Sequence, residues 1–320
     1  MSTESCFLID WVVPDSHIDN TNRANRSIIA PLILARVKGN APAELNGVAT
    51  IIRVHDERAS GRYEPSLHQP DVLCLPYMTT EAIRAYQISD EARHAKSHSG
   101  MPIKIIHGGI HATSLWREAI KHCDVVVRGE MTPQFQQRLL EFALNMGVGY
   151  KAVLRLNNPP CVITHPPADW TWANPKNYLI PHTIQTSVGC PFGCDFCSVT
   201  QVAGAGMRPV AMDCLEAELK ALPKGVVLAI VDDNFLQGVG AKHVEHCLNV
   251  ARLMHEMGFR WMAEITVKTL SDARRRLATE RGFDLVEFFA AHGCIGFFFG
   301  IETVEDAGLK KTIQLSETTK

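Results

Sequence analysis

The first 146 residues alternate short apolar runs with longer amphipathic stretches. Runs rich in β-branched and aromatic residues fall at 6–13, 48–54, 72–76, 103–107 and 124–128, and their near-continuous hydrophobicity predicts strands buried on both faces. Between them, 27–38, 80–97, 114–122 and 133–145 carry apolar residues at spacings of three and four, the period of a helix with one buried face. This alternation predicts an α/β domain, a Rossmann-like doubly wound parallel sheet with helices on both sides. Ligands of such sheets bind at the carboxyl ends of the strands, so the loops after the strands are where function is expected.

The alternation stops at 147–182. Pro159, Pro160, Pro166, Pro167, Pro175 and Pro181, with Trp170 and Trp172, predict an extended connector packed through its aromatics. From 183 it resumes, with strands at 183–187, 226–231, 261–267 and 294–301 and helices at 213–221, 241–257 and 271–292. Val244, Cys247, Leu248, Ala251 and Met254 share one face of the second of these helices, as packing on a parallel sheet requires. The chain thus reads as a domain at 1–146, a connector at 147–182 and a second βα array at 183–320. Four strands precede the polar tail at 314–320, fewer than a six- or eight-stranded barrel needs, so a partial barrel is expected.

Composition narrows the partners. At 320 residues and 46% hydrophobic, the chain can bury two cores. A net charge of -2 supplies no bulk basic field for nucleic acid or an anionic membrane. No stretch approaches the ~20 apolar residues of a membrane span, and the start, Met1 to Cys6, lacks a basic run before an apolar one. A cytoplasmic protein with no integral membrane segment is expected.

Of ten cysteines, Cys6, Cys74, Cys123, Cys161, Cys214, Cys247 and Cys294 stand singly in apolar or helical segments and read as small buried hydrophobes. The other three, Cys190, Cys194 and Cys197, form a Cys-x3-Cys-x2-Cys triplet in a Pro- and Gly-punctuated loop just after a strand. A disulfide needs pairs, and tetrahedral structural zinc needs a fourth ligand that no nearby Cys or His supplies. A [4Fe–4S] cluster held by three cysteines fits and leaves one iron open. Such a cluster requires a reducing compartment.

This triplet, with Phe196 before its last cysteine and directly after the first strand of a βα array, resembles the radical S-adenosylmethionine superfamily. The longer string from Gln185 to Val199 resembles the members that carry an N-terminal cobalamin-binding domain, and the resemblance covers most of the chain. It implies that Phe196 and Asp232-Asp233-Asn234, closing the second strand of the array, bind S-adenosylmethionine, with Glu302 of Gly-Ile-Glu-Thr closing the fourth. Trp261-Met262-Ala263-Glu264 is a frequent signature of the third strand, and Arg208 is a candidate partner for a carboxylate. In the first domain it implies that Thr79, Gly108, Gly109, His111, Gly129 and Glu130 line a cobalamin site. Asp15-Ser16-His17 stands near where other cobalamin proteins place a cobalt-ligating Asp-x-His-x-x-Gly, but Asn20 replaces the glycine, so His17 reads as a loop histidine. Val188 and Thr303 depart mildly from the usual Arg and Ser.

The resemblance further implies an activity. One electron from the cluster cleaves S-adenosylmethionine to a 5′-deoxyadenosyl radical, and cobalamin supplies a methyl group to an unactivated carbon of a small-molecule substrate. The electron would come from an external donor such as flavodoxin or ferredoxin. Substrates of such enzymes run from lipids and tetrapyrroles to antibiotic scaffolds. Two alternatives stay open: a cyclase, oxidase or rearrangement enzyme without methyl transfer, and a non-catalytic cluster- or cobalamin-binding protein or inactive fragment.

Overall fold

The computed structural model describes residues 6–17, 27–155, 160–194, 196–236 and 240–300. The chain divides into two compact units, Met1–Pro159 with His165–Pro181, and Pro160–Thr164 with His182–Lys320. The first unit carries β1 Cys6–Val13, β2 Ser27–Ile29, β3 Glu44–Leu45, β4 Val48–Asp56, β5 Val72–Pro76, β6 Lys104–Gly108, β7 Val125–Arg128, β8 Ala152–Arg155 and β9 Tyr178–Ile180. Seven of these make one sheet in the order β3-β4-β1-β5-β6-β7-β8, parallel except for the β3–β4 hairpin.

Side-chain alternation explains how helices cover both faces. Val72 and Cys74 of β5 join Ile9, Trp11, Leu34 and Leu139 in one core, while Leu73 and Leu75 join Val12, Ala85, Ile88 and Ile105 in the other. Helices Leu32–Gly39 and Pro133–Asn145 close the first face, and Ala82–His94 and Gly109–Ser114 the second. Because β1 lies between β4 and β5, the chain reverses its course across the sheet at β1 and β5, which puts the loop after β5 at the switch point where such sheets bind ligands.

The stretch read as connector contributes two strands to this unit. β8 extends the sheet beside β7, and β9 pairs in parallel with β2. That second pairing displaces the helix expected from 27. Pro31 keeps Ala30 out of the helical region, so the helix starts at Leu32. The helix expected at 114–122 is instead two short ones, Gly109–Ser114 and Trp116–Ala119, interrupted at Leu115.

The second unit carries β10 His182–Ile184, β11 Ser187–Val188, β12 Arg208–Pro209, β13 Val227–Ile230, β14 Arg260–Glu264 and β15 Cys294–Phe298. β10, β13, β14 and β15 form an all-parallel sheet in chain order, a partial βα barrel. Fully buried Trp261 centres its core, with the Phe235 and Phe289 rings 5.2 and 5.7 Å away. The helix expected at 271–292 is two, Val267–Arg281 and Leu285–Ala291, because Gly282 turns left-handed (φ +69°) and Asp284 caps a fresh start through the N–H of Val286. Among the described residues no helix is long and apolar enough to cross a membrane.

Candidate cofactor sites

The cysteine triplet hangs from a short ribbon. β11 and β12 pair antiparallel, Ser187 with Pro209 and Val188 with Arg208, and beyond them Cys190 bridges Ala205 while Gly206 N–H donates to Cys190 O at 3.3 Å. Gly189 makes the entry possible. Its φ is +88°, and a Cβ there would lie 2.5 Å from Gly206 O. Cys197 N–H donates to Cys194 O at 3.1 Å, all three cysteines are half-buried, and none of the ten cysteines is in a disulfide. Phe196 between them is 69% exposed.

The acidic pair closing β13 holds this loop from below. Asp232 is buried; its Oδ1 accepts from Thr186 N–H, and its Oδ2 from the Thr186 and Ser187 hydroxyls. Burial pushes its carboxyl up to about 6, against the pull of those donors. Asp233 accepts from Gly189 N–H at 3.0 Å; burial raises it too, opposed by that bond and by the charge of Arg208. The Arg208 guanidinium donates to Ala203 O at 3.0 Å. Buried Asn234 accepts from Thr266 N–H at 3.3 Å, and its amide nitrogen has no hydrogen-bond partner among the described residues. Glu302 lies outside the described residues.

Among the described residues no three His, Cys, Asp or Glu side chains stand close enough to hold a metal ion, so the loop presents its thiols without gathering them. The donor set nonetheless fits an iron–sulfur group. Burial raises the Cys190 thiol, with Asp233 and the other two cysteines adding to the rise, a balance that a bound cationic centre would reverse. Of the seven scattered cysteines, Cys74, Cys123 and Cys247 are buried as expected, whereas Cys161 is exposed.

In the first unit the loops after β5, β6 and β7 are stitched into one rim. Tyr77 N–H donates to Gly108 O at 3.2 Å and His111 N–H to Tyr77 O at 3.4 Å. Gly109, at φ +87°, permits this approach, since a Cβ there would lie 2.6 Å from Tyr77 O. Thr113 Oγ1 accepts from Gly129 N–H at 3.0 Å, and Glu130 follows half-buried. A Cβ on Gly108 would meet nothing within 4 Å among the described residues, which leaves its backbone open to the close approach a flat corrin requires. Thr79 is exposed at the switch point and His111 is buried behind it, Nδ1 3.2 Å from Thr79 Oγ1. His17 stands elsewhere in role: its N–H donates to Asp15 Oδ1 at 2.8 Å, while residues 18–20 lie outside the described residues.

Sequence reading missed the polar layer beneath this rim. His107 is fully buried, with Nε2 2.8 Å from Ser89 Oγ and Nδ1 2.9 Å from the Tyr77 hydroxyl. Burial drives its imidazole down to about 3, assisted by nearby His122 and Arg93. Tyr86 is pushed up to about 12, by burial first and by its bond to Glu118.

No family model matches the chain. Across 96% of its length it superposes on 45% of OxsB, a cobalamin-dependent S-adenosylmethionine radical enzyme solved with aqua-cobalamin, at TM-score 0.67 and 14% identity. The chain shares the fold of that enzyme. TsrM from Kitasatospora setae, a radical S-adenosylmethionine methyltransferase solved with tryptophan and an S-adenosylmethionine analogue, is matched over 98% of this chain and 64% of its own, at TM-score 0.62 and 14% identity. Curated relatives include the bacteriochlorophyllide d C-12(1)-methyltransferase of Chlorobaculum tepidum, 28% identical over 80% of this chain, and the uncharacterized methyltransferase PH0819 of Pyrococcus horikoshii, 24% identical over 73%. The chain spans about half the length of these relatives, 53% and 52%.

Proposed function

We propose that this chain carries the cobalamin-binding and radical-generating parts of a radical S-adenosylmethionine methyltransferase acting on an unactivated carbon of a small molecule. The observation that carries the reading is the placement of three cysteines, none in a disulfide, in one clamped loop directly after the first strands of the second unit, in a fold shared with OxsB and TsrM. The methyltransferase names of both curated relatives favour methyl transfer over cyclisation, oxidation or a purely binding role.

Cys190, Cys194 and Cys197 would hold the [4Fe–4S] cluster, and Thr79, Gly108, Gly109, Gly129 and Glu130 the cobalamin. When bound, these groups supply the electron that cleaves S-adenosylmethionine and the methyl group that is transferred. The chain's residues orient. Asp232 and Asp233 fix the loop, Phe196 offers S-adenosylmethionine an exposed aromatic face, and Asn234 keeps an amide donor unused among the described residues. An external flavodoxin or ferredoxin would supply electrons, and a thiolate-held cluster would suit a reducing compartment such as the cytoplasm.

Anaerobic reconstitution tests the reading. Iron, sulfide and electron paramagnetic resonance should report one cluster per chain, lost in Cys194→Ala. The whole protein should form 5′-deoxyadenosine and transfer label from methyl-deuterated S-adenosylmethionine. A wild-type chain that binds no iron overturns the proposal.

A further inference from the structure

One hydrogen-bonded chain runs through the rim of the first unit and ends at Thr79. The Tyr86 phenol oxygen, on the helix Ala82–His94, lies 3.1 Å from Glu118 Oε1 and 3.0 Å from His111 Nε2, and His111 Nδ1 lies 3.2 Å from Thr79 Oγ1. Stacking on His122, with centroids 3.9 Å apart and planes 9° apart, holds the Tyr86 ring. His111 is 4% exposed, whereas Glu118 is half exposed and Thr79 exposed.

Counting protons gives this chain a direction. An ionised carboxylate only accepts, so Tyr86 donates its single proton to Glu118. The Tyr86 oxygen then accepts from Nε2–H of His111. While His111 is neutral that is its one N–H, so Nδ1 accepts the proton of the Thr79 hydroxyl. Tyr77 lies beside Tyr86 but is committed elsewhere: Ser89 donates to Ala85 O and accepts from His107 Nε2–H, which leaves His107 Nδ1 to take the Tyr77 proton. Thr79 therefore turns only lone pairs to the open side of its loop.

We propose that Tyr86 and His111 are positioning residues that lock the Thr79 hydroxyl as a hydrogen-bond acceptor, so that the rim selects a donor group on the bound corrinoid at that point. This rests on the cobalamin reading above. It also takes His111 out of the set of groups that touch the ligand, because both ring nitrogens are engaged. Two donors share the required chemistry: the N–H of a carboxamide on the corrin rim, and a water held by cobalt. A rim carboxylate has no proton to give.

The test is a titration of aquacobalamin, and of cobalamin monocarboxylic acids in which one rim amide is hydrolysed, into the full chain. Thr79→Val is expected to weaken aquacobalamin roughly 3- to 10-fold. Thr79→Ser, which keeps the hydroxyl, should bind as wild type does. Tyr86→Phe should weaken binding by a similar factor, and the double variant Thr79→Val/Tyr86→Phe should be no weaker than Thr79→Val alone. A monocarboxylic acid disfavoured by wild type but not by Thr79→Val assigns the donor to the rim amide. An unchanged preference, with a shifted visible spectrum of bound aquacobalamin, assigns it to the cobalt-bound water. Single-variant effects that simply multiply, or a neutral Thr79→Val in a chain that binds aquacobalamin, overturn the inference. A wild-type chain that binds no aquacobalamin overturns the cobalamin reading itself.

Discussion

The carboxylate of Asp232 accepts both the backbone N–H and the hydroxyl of Thr186, each at 2.6 Å. With Ser187 Oγ at 2.7 Å, three donors from the segment leading into the cysteine loop converge on one buried group. An asparagine keeps the shape but has one acceptor oxygen, so at least one donor loses its partner. Asp232→Asn should therefore cost about 1–3 kcal/mol in urea unfolding and lower the iron and sulfide retained after reconstitution. Unchanged stability would show that the loop is anchored elsewhere.

Gly189 and Gly204 share a positive φ of +88° but differ in their surroundings. A Cβ on Gly189 meets the Gly206 and Gly204 carbonyls, while one on Gly204 meets nothing within 4 Å. Gly204→Ala should cost about 1 kcal/mol, the strain of a left-handed alanine. Gly189→Ala adds a backbone clash that only reshaping the loop relieves, so it should cost several-fold more and abolish cluster binding. Thermal unfolding with iron analysis of both variants checks the difference.

What the sequence made legible follows from which interactions are local. Val72–Pro76 was readable to the residue because burial on both faces demands a continuous apolar run bounded by polar Asp71 and the turn after Tyr77. The cysteine spacing was readable because ligand geometry is short-range. By contrast, β8 is only half-buried and β2 and β9 owe their existence to each other across the chain, so neither carries a strong period of its own. In Asp232-Asp233 both residues look alike at a strand end. Only the fold shows one gathering Thr186 and Ser187 and the other Gly189. Tyr86 was hidden for a related reason, since in an amphipathic helix a tyrosine reads as packing.

Gly109 sets the spacing between the loops after β5 and β6. Alanine there would place its Cβ 2.6 Å from Tyr77 O and 2.7 Å from Tyr77 N, in a conformation that already disfavours a side chain. The expected result is a rim forced open between Thr79 and His111. Gly109→Ala should weaken aquacobalamin at least tenfold in an equilibrium titration while leaving iron binding by the second unit intact. Parallel loss of both would mean that the substitution unfolds the chain.

His107 makes the first unit sensitive to acid. In the unfolded chain an imidazole takes its proton near the ordinary 6.5, whereas in the fold His107 takes none until about 3. Between those limits the unfolded state binds more protons, so its contribution to stability is complete above pH 6.5 and is lost as pH falls toward 3, up to about 4 kcal/mol. Asp232 acts oppositely. Its raised carboxyl is protonated first in the fold, so its contribution grows as pH falls from about 6 toward 3.8. A wild-type profile mixes the two, and a variant separates them. His107→Gln keeps an acceptor for Tyr77 and a donor for Ser89 but does not titrate. Urea unfolding at intervals from pH 7 to pH 4 should show wild type losing its advantage over His107→Gln steadily with acid. Parallel curves would mean that acid opens this unit through another group.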